Sequence, residues 1–273
     1  DRSRILEALG HQEKMENAHR LLSRVGYWGQ DYNPYPRRQS LPTDDPVLPL
    51  PELVDADRLD LTHLPAFAID DAGSEDPDDA ISLDGDRIWV HVADAAALIT
   101  PDSELDIEAR SRSANLYLPE GTVHMLPLPV THRLGLGLQE FSPALSIGFT
   151  LTPDAGIIDI RIAHSMIRAT RHSYAEINQL LSEEPFSELV AMTLRYRQRR
   201  MNSGASRIDL PEVSVRVNDG VVLIRPLERM GSRDMVTDAM LMAGEAVARY
   251  CQEHTIPIPF ATQPPPDSDQ QPA

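Results

Sequence analysis

Apolar positions recur along this chain with two periods, and the switches between them predict most of its elements. In residues 3–25, Ile5, Leu6, Leu9, Met15, Ala18, Leu21 and Leu22 fall mostly at helical spacing, which predicts a short helical pair. From Tyr27 to Pro65 prolines and aspartates replace the periodic apolar residues, so 27–61 reads as a Pro-rich linker. The body begins with a short strand, Ala66–Ile69. Ala80–Leu83 and Arg87–Val92 flank Asp84-Gly85-Asp86 and predict a hairpin, because Asp-Gly tolerates the positive φ of such turns. Leu145–Leu151 with Ile157–Ile167 predict a second hairpin, and Val213–Val217 with Val221–Ile224 a third around Asn218-Asp219-Gly220. Helices are predicted at 103–112 with Ser103 as cap, at Tyr174–Leu181, and at Pro185–Met201. The strongest is Arg233–Glu253, with Met235, Val236, Ala239, Met240, Ala243, Val247 and Tyr250 on one face. No internal repeat appears. The expected class is α+β, a mixed, largely antiparallel sheet with helices, preceded by a short helical segment.

Composition narrows the function. With 273 residues, 41% hydrophobic and 25% charged, the chain suits a globular protein with a sizeable core. No apolar run reaches the ~18 residues of a membrane span, and no signal-peptide core opens the chain. A lone cysteine, Cys251, excludes internal disulfides and Cys-cluster zinc sites, so a reducing, cytoplasmic setting is expected. The net charge of −17 argues against a surface that coats phosphate backbones, unless the acids are gathered on metal ions. The opening at Asp1 without methionine, and the Pro-rich close at 263–273, read as a piece of a longer chain with a disordered tail or broken loop.

The densest chemistry lies in Ile69-Asp70-Asp71-Ala72-Gly73-Ser74-Glu75-Asp76-Pro77-Asp78-Asp79-Ala80-Ile81. Asp70 ends one strand, and Asp76, Asp78 and Asp79 precede the next, so a strand–loop–strand turn can fold four carboxylates toward one another. Like charges this close repel by several kcal/mol at intermediate dielectric, on the order of what a divalent cation offsets. Hard oxygen ligands favour magnesium or manganese over zinc. That set suits metal-assisted phosphodiester hydrolysis. A solvated Asp-rich turn is the bland alternative, although Ile69 and Ile81 draw both ends of the loop into a core. A calcium loop is the third, but the EF-hand register from Asp76 fails at Ile81, where glycine is needed.

Four spaced blocks then resemble a known family. They are Ile69-Asp70 with Glu75–Ser82; Val90-His91-Val92-Ala93-Asp94-Ala95; Leu105-Asp106 with Glu108-Ala109-Arg110; and Tyr117-Leu118-Pro119 leading to Met125-Leu126-Pro127. In this order they resemble the RNB catalytic domain of the ribonuclease II and ribonuclease R family. Ser173–Glu176, Gly204-Ala205 and Leu210-Pro211-Glu212 fit more loosely, and the helix Met235–Glu245 is similar to the cyanobacterial and chloroplast ribonuclease II-like branch. The domains then read as 1–26, a helical remnant of a nucleic-acid-binding module; 27–61, the linker; 62–262, an incomplete RNB catalytic domain; and 263–273, the tail.

The resemblance implies magnesium-dependent 3′-to-5′ hydrolytic exoribonuclease activity on single-stranded RNA, releasing nucleoside 5′-monophosphates. It implies that Asp70, Asp76, Asp78 and Asp79 hold Mg²⁺, with Mn²⁺ as substitute. Asp70 and Asp79 match direct ligands, and Asp78 the most catalytically sensitive carboxylate. Tyr117 and Tyr174 match tyrosines that clamp RNA near its 3′ end, and Asp238 a contact to the terminal nucleotide. Ile208 stands where some members have a stacking phenylalanine. The family's Ser-Pro-Ile-Arg-Arg-Tyr motif, whose arginine contacts the scissile phosphate, and its S1-type domain do not occur in this sequence; a second fragment or continuation is the expected partner. The cold-shock barrels usual in the family have no counterpart in residues 1–61.

Other candidates carry two readings each. Arg110 and Arg112 reach either RNA phosphate or the neighbouring Glu108 and Asp106. His91 and His124 read as structural more readily than as ligands. The Arg195, Arg197, Arg199, Arg200 run reads as a solvated helix face. A catalytically silent RNA-binding or regulatory module on the same scaffold is the alternative function.

Overall fold

The computed structural model describes residues 3–29, 32–53, 57–207, 210–218 and 220–262. Ile208, the turn residue Asp219 and the 263–273 tail lie outside them. In chain order the elements are α1 (Arg4–Ala8), α2 (Met15–Arg24), α3 (Tyr35–Arg38), β1 (Leu59–Asp60), β2 (Ala66–Asp70), β3 (Asp79–Asp84) and β4 (Arg87–Ala93). Then come α4 (Glu104–Arg112), β5 (Leu116–Leu118), β6 (Gly121–Val123), α5 (Leu128–Leu134), β7 (Ser142–Leu151), β8 (Ile157–Ile167) and β9 (Ala169–Ser173). The chain continues through α6 (Tyr174–Leu180), α7 (Phe186–Asn202), β10 (Val213–Asn218), β11 (Val221–Pro226) and α8 (Gly231–Glu253). Among the described residues no helix is long and apolar enough to cross a membrane.

Residues cluster into two compact units. The described residues within 50–100, 129–210 and 228–262 form the larger, and those within 3–49, 101–128 and 211–227 the smaller. Two stretches inside the expected 62–262 body, 101–128 and 211–227, therefore group with the N-terminal segment and not with the sheet.

The larger unit is a seven-stranded mixed sheet in the order β1-β8-β7-β4-β3-β2-β9. Its neighbours run antiparallel except at the edges, where β1 pairs with β8 and β9 with β2 in parallel. Period-two alternation sorts the strands' side chains between two cores. Ile69, Ile81, Ile88, Val90, Ile147 and Phe149 face α6–α8, meeting Ile177, Phe186, Leu189, Met235, Ala239 and Met242. Ala66, Ala68, Ala80, Trp89 and Ala144 face the other way, with Leu61, Leu136 and Ile167. Gly148 is required here: a Cβ would stand 2.7 Å from the indole of Trp89 on the paired strand.

The α7 and α8 helices pack against each other through internal ion pairs. Arg197 meets Asp238 at 2.6 Å and Asp234 at 3.3 Å, and Arg199 meets Glu245 at 3.4 Å. The basic run expected as a solvated face is thus half tied down, because α8 brings acids to it.

In the smaller unit, Ser103 caps α4 as expected, accepting from the Asp106 amide. The β5–β6 and β10–β11 hairpins meet where the Val217 N–H donates to the Pro119 carbonyl at 2.7 Å. A short helix, α3, interrupts the expected linker; Pro36 fits the first turn, where no N–H partner is needed.

Candidate metal and active site

The acidic loop joins β2 to β3 in the larger unit. Strand β9 lies alongside, with Asp70 paired to Ser173 and Ile69 to His172. Ser173 caps α6 in a reciprocal capping box with Glu176, which fixes the start of that helix beside the loop. An open cleft of about 270 Å³ is lined by Asp70, Asp71, Pro77, Arg171, His172 and Glu176, among others.

The four expected aspartates are neighbours but do not close into a cage. Among the described residues no three His, Cys, Asp or Glu side chains are arranged to hold a metal ion. Local donors engage two of them: Asp70 accepts from the Asp71 amide at 2.7 Å, and Asp76 from the Ser74 hydroxyl at 3.4 Å.

Electrostatically they still act together. Burial pushes the Asp79 carboxyl up to about 7, with Asp78 and Asp70 adding to the rise. Asp78 is more exposed and is likewise pushed upward, by desolvation first and then by Asp70 and Asp76. Among the described residues neither Asp70, Asp78 nor Asp79 forms an ion pair. A hard oxygen set with uncompensated charge fits a divalent cation, and magnesium needs only one or two carboxylates beside water and phosphate.

The Tyr174 ring borders this group. It is half-buried, and its hydroxyl is pushed up to about 12, by burial first and then by Asp79 and Asp70. The Arg233 guanidinium lies 4.1 Å from its ring centroid and pairs with Asp71. Arg171 reaches the Ser74 carbonyl across the loop. Sequence reasoning missed Arg171 and Arg233, and gave Asp71, within the acidic stretch, no role of its own. No local spacing marks them: Arg233 is 162 residues from Asp71, and only the fold brings the two together.

The other expected RNA contacts stand differently. Tyr117 belongs to the smaller unit and is 68% exposed. Asp238 is buried, and a nucleotide would have to displace Arg197 to reach it; desolvation raises its pKa in spite of that arginine. Arg112 is occupied by Glu108 at 2.8 Å and by the Asp44 and His124 carbonyls. Arg110 is exposed and pairs with Asp102 and Asp106. For these two arginines the salt-bridge reading is the one observed.

His91 is wholly buried, held by Ser82 at 2.9 Å and Ser146 at 2.6 Å, and burial lowers its pKa to about 4. His124 is fixed by Asp45 at 3.0 Å. Both are structural. Asp94 is buried between Arg58 at 2.9 Å and His164 at 3.1 Å, anchoring the end of β4.

A family model described as RNB domain matches residues 58–272, and one described as double HTH domain matches residues 1–34. An uncharacterized ribonuclease of Synechocystis is 36% identical over 96% of this chain, and a chloroplastic/mitochondrial ribonuclease II of Arabidopsis thaliana is 32% identical over 95%. The chain spans 43% and 36% of their respective lengths. Among solved structures, Mycoplasma genitalium RNase R in complex with ribose-methylated single-stranded RNA shares the fold at a TM-score of 0.67. It is 23% identical, over 74% of this chain and 34% of that one. With a family match across most of its length and relatives of this identity, the chain belongs to the RNB-domain family of ribonucleases II and R.

Proposed function

We propose that this chain carries the metal-holding carboxylates of a hydrolytic exoribonuclease that degrades single-stranded RNA from its 3′ end and releases nucleoside 5′-monophosphates. The observation that carries this reading is the set Asp70, Asp78 and Asp79, mutually repelling and without an ion pair among the described residues, inside the RNB-matched region. Asp70 and Asp79 would hold magnesium, with manganese as substitute; Asp76 and Asp78 would complete the set. Bound there, the ion supplies charge neutralisation at the phosphate and lowers the pKa of coordinated water.

The chain's own residues do the rest. Asp78, the most exposed of the raised carboxylates, would accept the proton of the attacking water. Tyr174 presents an aromatic face beside the carboxylates, and base stacking of about 1–3 kcal/mol without sequence preference suits an enzyme that takes any RNA. Tyr117 is proposed as a second stacking surface on its own unit.

The test is digestion of 3′-labelled single-stranded RNA with and without Mg²⁺. We expect magnesium-dependent monophosphate release that falls by about 10²-fold or more in Asp78→Asn, the scale of removing a positioned acid or base. A second reading, a silent RNA-binding module, is favoured because no three such side chains among the described residues are arranged to hold a metal ion. RNA retention with no monophosphate released at any Mg²⁺ concentration would select it.

A further inference from the structure

Arg233 stands in the first turn of α8, beside the acidic loop, and two contacts hold its guanidinium there. Its central carbon lies 4.1 Å from the centroid of the Tyr174 ring, and Nη2 pairs with Asp71. One face of the aromatic ring that borders the aspartates is therefore covered by a cation. The anion that keeps the cation there, Asp71, is a loop carboxylate outside the set of four expected on the metal.

Both contacts are easily exchanged. The Asp71 side chain is 60% exposed and that of Arg233 32% exposed, and ion pairs so open to water are weak. Arg233 Nε is buried and has no hydrogen-bond partner in this position. Buried donors are almost always satisfied, so the stacked arrangement leaves the arginine short of one bond. A phosphate offers several acceptor oxygens to the planar fork of a guanidinium, which a single carboxylate oxygen does not match.

The surroundings place such a phosphate next to Arg233. Asp79, Asp70 and Asp71 act on the Tyr174 hydroxyl in one electrostatic sense and Arg233 in the other, so carboxylates and cation flank the same phenol. Once ionised, Asp70, Asp78 and Asp79 outnumber the charge of one divalent cation, and an incoming phosphate still meets net negative charge. A cation able to turn toward it offsets that repulsion. The other arginine at the loop, Arg171, is engaged by the Ser74 carbonyl.

We propose that Arg233 is a phosphate-binding residue of this site and that Asp71 holds it in reserve. When a nucleotide arrives, the guanidinium passes from the Asp71 carboxylate to the nucleotide's phosphate, and the Tyr174 ring is uncovered for the base. The proposal rests on the reading of Asp70 and Asp79 as metal ligands, and it gives Arg233 to the phosphate and not to the ion.

Calorimetric titration of the chain at saturating Mg²⁺ tests it, with adenosine 5′-monophosphate as one probe and adenosine, which lacks the phosphate, as the other. Arg233→Ala should weaken the monophosphate about 10-fold to 150-fold, the range of a charge-assisted hydrogen bond, and should not weaken adenosine. Arg233→Lys, which keeps a charge, should recover part of the loss. Asp71→Asn releases the arginine and should tighten the monophosphate up to about 5-fold, an effect that vanishes in the Arg233→Ala background. Unchanged monophosphate affinity in both Arg233 variants would overturn the proposal. So would an equal loss for both probes, an Asp71→Asn effect that persists without the arginine, or no binding by the parent. No RNA is hydrolysed in this experiment, so the two readings fail separately. A chain that degrades RNA while Arg233→Ala binds the monophosphate like the parent refutes the role of Arg233 alone. A chain that releases no monophosphate from RNA, yet binds it through Arg233, refutes the nuclease reading alone.

Discussion

The His91 cluster and the acidic loop share strand β3, yet their polar groups are handled in opposite ways. His91 bridges Ser82 and Ser146, and Ser146 passes the chain on to Ser165 at 2.5 Å. Every group there is buried, neutral and partnered within the protein. Asp70, Asp78 and Asp79 are acidic, less buried, and find no cation among the described residues. A closed network of this kind holds four strands in register and has nothing left to offer a ligand. An uncompensated one costs the fold stability and keeps its valence for something else.

The largest effect is expected where the closed network is broken. His91→Ala leaves a cavity and strands two hydroxyls, so it should cost about 3–5 kcal/mol. Chemical denaturation of the variant checks this, and a loss below about 1 kcal/mol would mean that the network is not structural.

Next comes the pH dependence, where the two clusters pull in opposite directions. Asp79 titrates in the fold near 7 instead of 3.8, so its folded state binds the extra proton and stability falls as pH rises from about 4 through 7. At ~1.4 kcal/mol per unit this is at most on the order of 4 kcal/mol. His91 titrates near 4 instead of 6.5, so its contribution is complete above about 6.5 and is lost as pH falls toward 4. In EDTA, Asp79→Asn should therefore gain stability over the parent at pH 8 and little at pH 4. Melting curves at both values decide it, and an equal gain at each would contradict the assignment.

The smallest effect concerns the cation at the border of the loop. Arg233→Ala removes the guanidinium from the Tyr174 face and from Asp71, and should cost about 1 kcal/mol. It should also enlarge the stabilisation by added Mg²⁺, because one compensating charge is gone. A smaller magnesium response in this variant would show that Arg233 assists the ion.

Much of this contrast was legible in the residues. A short apolar run located β2, the Asp-Gly hairpin turn β3 and β4, alternation β7 and β8, and helical spacing α7 and α8, because each packs against a core. Strand β9 escaped notice: Ala169-Thr170-Arg171-His172-Ser173 has no apolar run, and parallel pairing with β2 makes it a strand. The helix α5 was missed for a similar reason, since only Val130 and Leu134 of its seven residues are buried. At the site, the aspartates stood out because they are adjacent in sequence. Arg233 and Arg171 did not, because long-range packing brings them to the loop. The grouping of 101–128 and 211–227 with the N-terminal segment left no local signal either.

The central claim is that the unpaired aspartates are reserved for a divalent cation, and thermal unfolding at pH 8 tests it most directly. Mg²⁺ at about 100 times its dissociation constant should stabilise the chain by about 2.7 kcal/mol, a rise of several degrees in Tm. Asp79→Asn should lose most of that rise, and an exposed control such as Asp154→Asn should keep it. The same magnesium-induced rise in Asp79→Asn as in the parent, or no rise in the parent at any concentration, would contradict the account.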